Sequence, residues 1–266
     1  MSLRLTPTFR AALAASDRPL AGMWVCSASA TVAEIAARAG LDWLLIDMEH
    51  SATSLDSVLA QVQVAAAYPV TPVVRVPWND AVTIKRVLDV GAQNLIVPMI
   101  STAAEARAAV AATRYPPAGI RGVGSALARS ARWNRVDGYL ATATEHVSLT
   151  VQIETAAAVD AAAEIAAVEG VDAVFVGPSD LSASMGLLGQ QSHPDVVAAV
   201  HRVFEAAHAA GVAVGVNAFD PLVAEAYLDA GADFVAVGAD VALLARASEA
   251  LAARFVHPGE TTRGSY

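Results

Sequence analysis

Five residues with chemical capacity stand at or just beyond the ends of short apolar runs: Asp47 and His50 in LLIDMEH, Arg75 in PVVRV, Glu154 in VQIET and Asp180 after VFVGPS. In a barrel of parallel strands, side chains far apart in sequence converge where strands end and the following loops begin. Glu154 and Asp180 form a carboxylate pair with no cysteine or closely spaced histidines beside it. Such a pair suits a hard divalent cation in an octahedral oxygen shell, Mg²⁺, Mn²⁺ or Co²⁺, better than a closed zinc site. A cation of this kind chelates a 2-oxo acid and polarises it as a Lewis acid. Arg75 can hold the acid's oxygens and offset enolate charge, with Asp47 keeping the guanidinium in place. His50, flanked by Asp47 and Glu49, is the proton carrier suited to neutral pH.

Each residue also has a plain structural explanation. Glu154 could sit in a helix's first turn, favoured by the dipole, and Asp180 could be a helix cap. Arg75 could form a rim salt bridge, and His50 could be a solvated loop residue. The strand period places Gln152 on the face of Glu154, with Val151 and Ile153 opposite. Gly177, Pro178 and Ser179 open a helix N-terminus where an anionic carboxylate can dock. Lys85 is the only lysine and falls mid-helix, away from any strand end. That excludes a Schiff-base aldolase, which needs a lysine in a desolvated pocket. Cys26, the only cysteine, lies in an apolar run and reads as a packed thiol, leaving no intrachain disulfide.

The elements that must position these groups alternate along the chain. Eight strands are expected near Ala21–Cys26, Trp43–Asp47, Pro72–Val76, Asn94–Pro98, Leu149–Glu154, Ala173–Val176, Val212–Val216 and Phe234–Val237, separated by Ala-rich helical stretches. A glycine, a small spacer and an aspartate recur before three of them, at Gly40–Asp42, Gly170–Asp172 and Gly231–Asp233. Glycine there closes a helix in the left-handed conformation. Helix starts are marked at Ser54, Asp80, Thr102 and the pair Ser179–Asp180. The pattern predicts an α/β chain with one (β/α)₈ TIM-barrel domain over residues 1–255 and a flexible tail over 256–266. Residues 115–148, rich in Gly, Pro and Arg, form a long connector of the kind used for lids, interfaces or binding loops.

With 266 residues, 55% of them hydrophobic, the chain can bury a large core. A net charge of −9 with no basic run argues against nucleic acid as a partner. No apolar stretch approaches the roughly 18 residues of a membrane span, and no secretory leader is evident, so the cytoplasm is the expected location.

The strings LLIDMEH, PVVRVPWND, Val87–Gly91, TRYPPAGIRGVGSALARSARWNR, VQIET and GVDAVFVGPSDLSASMG together resemble the metal-dependent 4-hydroxy-2-oxoheptane-1,7-dioate aldolase family. The resemblance runs from about Gly22 to Phe255. It implies a barrel of the phosphoenolpyruvate/pyruvate-domain type that reversibly cleaves 4-hydroxy-2-oxo acids to pyruvate and an aldehyde such as succinate semialdehyde. It further implies that Glu154 and Asp180 bind the metal, Arg75 contacts the pyruvate-derived oxygens, and His50 is the acid/base. Asp47 would orient the site and Asp89 would pair with His50. The family's members resemble hexamers built as dimers of trimers with an exchanged C-terminal helix.

Met48, Ser179 and Gly215–Ala218 depart from the family pattern where the aldehyde end of the substrate would lie. A related branch cleaves 2-dehydro-3-deoxyglucarate, which leaves that substrate as an alternative. Two further readings are a metal-dependent 2-oxo acid binding protein without turnover, and a phosphate-binding barrel using Gly238, Ala239 and Asp240 after the last strand.

Overall fold

The computed structural model describes residues 3–124 and 126–256, which form a closed barrel of eight parallel strands in chain order. The strands are β1 (Leu20–Val25), β2 (Trp43–Asp47), β3 (Thr71–Arg75), β4 (Asn94–Val97), β5 (Ser148–Ile153), β6 (Ala173–Val176), β7 (Ala213–Asn217) and β8 (Phe234–Ala239). Pairing of β8 with β1 closes the ring. Every expected strand is present, with ends displaced by a residue or two, as the (β/α)₈ reading requires.

Strand side chains divide between two apolar regions. In β6, Val174 and Val176 pack outward under the helices while Ala173 and Phe175 point into the barrel. Burial on both faces explains why the runs read as continuously apolar. The interior is filled by rings: Trp43, Phe175 and Phe234 meet with centroids 5.7–6.3 Å apart. Phe9, from the helix Phe9–Ala15, closes the lower end against Trp43 and Phe234. Two strand glycines make room for these rings, because a Cβ at Gly22 would collide with Trp43 and one at Gly215 with Phe234.

The Gly-x-Asp joints hold the barrel in register. Gly40, Gly170 and Gly231 have φ between +92° and +102°, which ends each helix in the left-handed region. The aspartate two residues on reaches back to the start of the preceding strand. Asp42 accepts from the Ala21 N–H at 2.8 Å, Asp172 from Leu149 at 2.9 Å and Asp233 from Val214 at 2.8 Å. Ser54, Asp80 and Thr102 cap their helices as expected. Asp180 does not cap its helix: Pro178–Ser184 begins after Gly177 with no side-chain cap, leaving Asp180 in the first turn.

The connector over 115–148 runs from the end of the helix Ala103–Thr113 to the start of β5. Both lie at the N-terminal end of the barrel, so within one chain the connector covers the face opposite the strand ends that carry the chemical groups. The expected tail, apart from Val256, lies outside the described residues.

Candidate active site

Asp47 and Arg75 end adjacent strands and are register partners. Their side chains are 1% and 4% exposed, and Arg75 Nε donates to Asp47 Oδ1 at 2.8 Å. Arg75 Nη1 lies 2.9 Å from Glu49 Oε2, and its guanidinium stacks on the Trp24 ring, 4.0 Å from the centroid. The loop after β2 is wound onto Asp47, whose carboxylate accepts the Glu49 N–H at 3.0 Å and the His50 N–H at 3.2 Å. One aspartate therefore fixes both the cation and the loop carrying Glu49 and His50. The His50 ring is exposed, with Nε2 4.0 Å from Glu49 Oε1.

Glu154 follows β5 and is almost fully buried, sharing a face with Gln152 as the strand period implied. Its Oε1 accepts the Met99 N–H at 2.6 Å and its Oε2 accepts from Gln152 Nε2. Met99 adopts φ 56°, a conformation costly for a residue with a Cβ, and so turns its N–H toward the carboxylate. Gly177 is packed above the pair: a Cβ there would lie 2.7 Å from Glu154 Oε2. Burial pushes the Glu154 carboxyl up to about 7 against its hydrogen bonds from Gln152 and Met99, and Glu49 and Asp180 raise it further. Glu49 is likewise pushed up to about 7, first by burial and then by Asp47 and Asp180, with Arg75 opposing.

Four carboxyl groups thus face one another's fields with a single guanidinium among them. That excess negative charge suits a divalent cation, which Glu154 and Asp180 would hold with Glu49 close by. Among the described residues no group of three His, Cys, Asp or Glu side chains is arranged to enclose an ion. A cation here would complete its shell with substrate oxygens and water, as hard cations commonly do.

Above these groups opens a cavity of about 700 Å³ lined by Asp47, His50, Arg75, Gln152, Gly177, Pro178, Ser179 and Asp180. Trp24, Asn217, Phe219 and Val237 line it too, together with Leu243 and Arg246 on the last helix, Asp240–Phe255. Ser179 is engaged sideways, donating to Gln191 Oε1 at 2.7 Å. Asn217, one of the β7 departures, accepts from the Trp24 indole at 2.8 Å and holds that ring over Arg75.

Within one chain the structure does not bring Asp89 to His50. Asp89 ends the helix Ala81–Asp89 at the opposite face, where its Oδ1 accepts from the fully buried Arg121 at 3.1 Å. Lys85, on the same helix, does not line the cavity. Cys26 does, but burial and the nearby Asp47 and Asp240 push its thiol up to about 12, which makes it a poor nucleophile. A phosphate after β8 is disfavoured because the Asp240 carboxylate already accepts the N–H groups of Cys26, Ser27 and Val241.

Sequence reasoning did not identify Glu49 as a partner of Arg75, nor Met99, Trp24 or Arg246. Glu49 and Trp24 carried a readable signal. Glu49 precedes His50 in a loop after a strand end, and Trp24 lies two residues from Gly22 on an inward strand face. A left-handed methionine and a helix arginine seven residues past the last strand carry none.

The family model for HpcH/HpaI aldolase/citrate lyase matches residues 20–247. The chain is 54% identical over 247 residues to the 4-hydroxy-2-oxo-heptane-1,7-dioate aldolase of Salmonella dublin, covering 93% of this chain and 94% of the relative. The protein of the same name from Shigella sonnei is 54% identical over 248 residues, with the same coverage. Among solved structures, an HpcH/HpaI aldolase/citrate lyase family protein from Burkholderia cenocepacia superposes with a TM-score of 0.89 at 43% identity, covering 94% of this chain and 99% of that one.

Proposed function

The chain belongs to the HpcH/HpaI aldolase/citrate lyase family, and from that premise we propose that it is a class II pyruvate aldolase. Its reaction is the reversible cleavage of a 4-hydroxy-2-oxo acid such as 4-hydroxy-2-oxoheptane-1,7-dioate to pyruvate and an aldehyde, here succinate semialdehyde. The observation that carries this reading is a cavity lined by Asp180 and by an Arg75 locked between Asp47 and Glu49, with Glu154 directly behind its wall against Gln152 and Gly177. A bound divalent cation would supply Lewis-acid polarisation of the 2-oxo group.

The chain's own residues do the rest. Arg75, held rigid on three sides, presents fixed positive charge where the enolate oxygen develops, so little reorganisation accompanies the reaction. His50 is exposed at the mouth beside Glu49 and can take the C4 hydroxyl proton directly or through water, then return it in the aldol direction. Trp24, Phe219, Val237 and Leu243 give the aldehyde side an apolar wall, which favours a methylene chain over the polyhydroxylated tail of 2-dehydro-3-deoxyglucarate. Asp89 would reach His50 only from a neighbouring chain. A homohexamer, built as a dimer of trimers, is the assembly we propose. Cytoplasmic residence is proposed too. Among the described residues no helix is long and apolar enough to cross a membrane.

The test is pyruvate release from 4-hydroxy-2-oxoheptane-1,7-dioate by chelator-stripped protein, before and after restoring Mg²⁺, Mn²⁺ or Co²⁺. Release only with metal supports the reading. Release without metal would remove Glu154 and Asp180 from their role, and no release under any condition would favour the binding-protein alternative.

A further inference from the structure

We propose that Arg246 is the specificity-determining residue that receives the distal carboxylate of the acid cleaved in this cavity, an inference that rests on the aldolase reading. Arg75 and Arg246 are the two arginines lining the cavity. Arg75 is committed, with Nε on Asp47, Nη1 against Glu49 and its face on Trp24. Arg246 is not. Its Nη2 donates to Glu249 Oε1 at 2.7 Å, and its Nε is buried without a partner.

Placement supports the role. Ala242 and Arg246 lie one turn apart on the last helix, with Leu243 beside them, and all three line the cavity. Trp24, Phe219 and Val237 line the same cavity, apolar side chains suited to methylenes. Asp47 and Asp180 line the cavity beside Arg75, and Glu49 and Glu154 lie behind its wall against Arg75 and Gln152, so a second anionic group on the substrate is repelled from that side and drawn to the other arginine. Glu249, three residues along the helix, pins the guanidinium before substrate arrives, which lowers the side-chain entropy lost on binding. A carboxylate there would meet a planar fork with free N–H donors. The substrate class is therefore a 4-hydroxy-2-oxo acid whose far end is itself a carboxylate.

The test compares kcat/KM for 4-hydroxy-2-oxoheptane-1,7-dioate with that for 4-hydroxy-2-oxoheptanoate, of equal length but with a methyl terminus. Wild-type protein, Arg246→Gln and Arg246→Lys are assayed with metal, and melting temperatures report folding. The diacid preference is expected to fall roughly tenfold to hundredfold in Arg246→Gln, the scale of one lost charge-assisted contact, and part-way in Arg246→Lys. A preference that stays within about twofold of wild type overturns the assignment while leaving the aldolase reading intact. Calorimetric binding of heptane-1,7-dioate against heptanoate separates the two ideas further. If wild type cleaves neither acid yet binds the dioate through Arg246, the aldolase reading fails and the carboxylate site stands. Binding of the dioate that is indifferent to Arg246→Gln overturns the site.

Discussion

Arg75 serves two purposes that a substitution can separate. It is proposed to hold substrate oxygens, and it also neutralises Asp47 and Glu49 in a nearly dry setting. Arg75→Ala should therefore cost about 3–5 kcal/mol of stability, measured by urea unfolding, because two buried carboxyls lose their cation. Arg75→Lys keeps the charge but not the planar fork, so it should fold near wild-type stability while kcat/KM falls by roughly 10²-fold or more. Gly177 makes a second test. An alanine Cβ would lie 2.7 Å from Glu154 Oε2, an oxygen already engaged by Gln152, so the carboxylate has little room to yield. Gly177→Ala should weaken Mn²⁺ binding by roughly 10–100-fold in a metal titration, the scale seen when residues supporting a ligand are disturbed. At this scale the sequence was legible where a residue's type and strand-end position both carried information, as for Asp47 and Arg75. It was silent where function depends on a backbone angle, as at Met99, or on what a helix face meets across a cavity, as at Arg246.

The strands were legible because parallel β-segments buried on both faces are continuous apolar runs, and glycine-led joints punctuate them. What the runs could not disclose is how the interior is filled. Gly22 and Gly215 look like weak points in a strand, yet each accommodates a ring from a neighbouring strand, Trp43 and Phe234 respectively. Gly215→Ala should destabilise the barrel by about 1–3 kcal/mol through overpacking, with Phe234→Leu in the same chain recovering part of the loss. Denaturant midpoints for both single variants and the double variant would show the coupling, and strict additivity would reject this packing argument. The aspartates of the joints were readable as turn residues, but their reach to the preceding strand was not. Asp172→Ala strips the Leu149 N–H of its acceptor and severs a bond to Arg10, so a loss of about 1–2 kcal/mol is expected by the same unfolding measurement.

At the scale of the whole molecule, the last helix is unlike the others. Of the residues in Asp240–Phe255 only Asp240 is buried, whereas Leu244, Leu251 and Phe255 are 69%, 60% and 72% exposed. Their spacing of seven and four residues puts them on one stripe, a face suited to packing against another helix. The connector at the opposite end of the barrel exposes a second apolar set, Ile120, Val123, Leu127 and Trp133. Two separate apolar surfaces on one chain are what a dimer of trimers requires, since it needs one interface within each trimer and another between trimers. The helix also supplies Arg246 to the cavity, so assembly and substrate selection meet on one element. Replacing Leu244 and Leu251 together by glutamate places two charges in the apolar stripe. The variant should shift light-scattering mass from that of the proposed hexamer toward smaller species. Its diacid preference should fall as well, because the helix presenting Arg246 would lose its packing. A variant that keeps the wild-type mass would exclude this stripe from the assembly, leaving the connector surface as the contact to be tested by the same measurement.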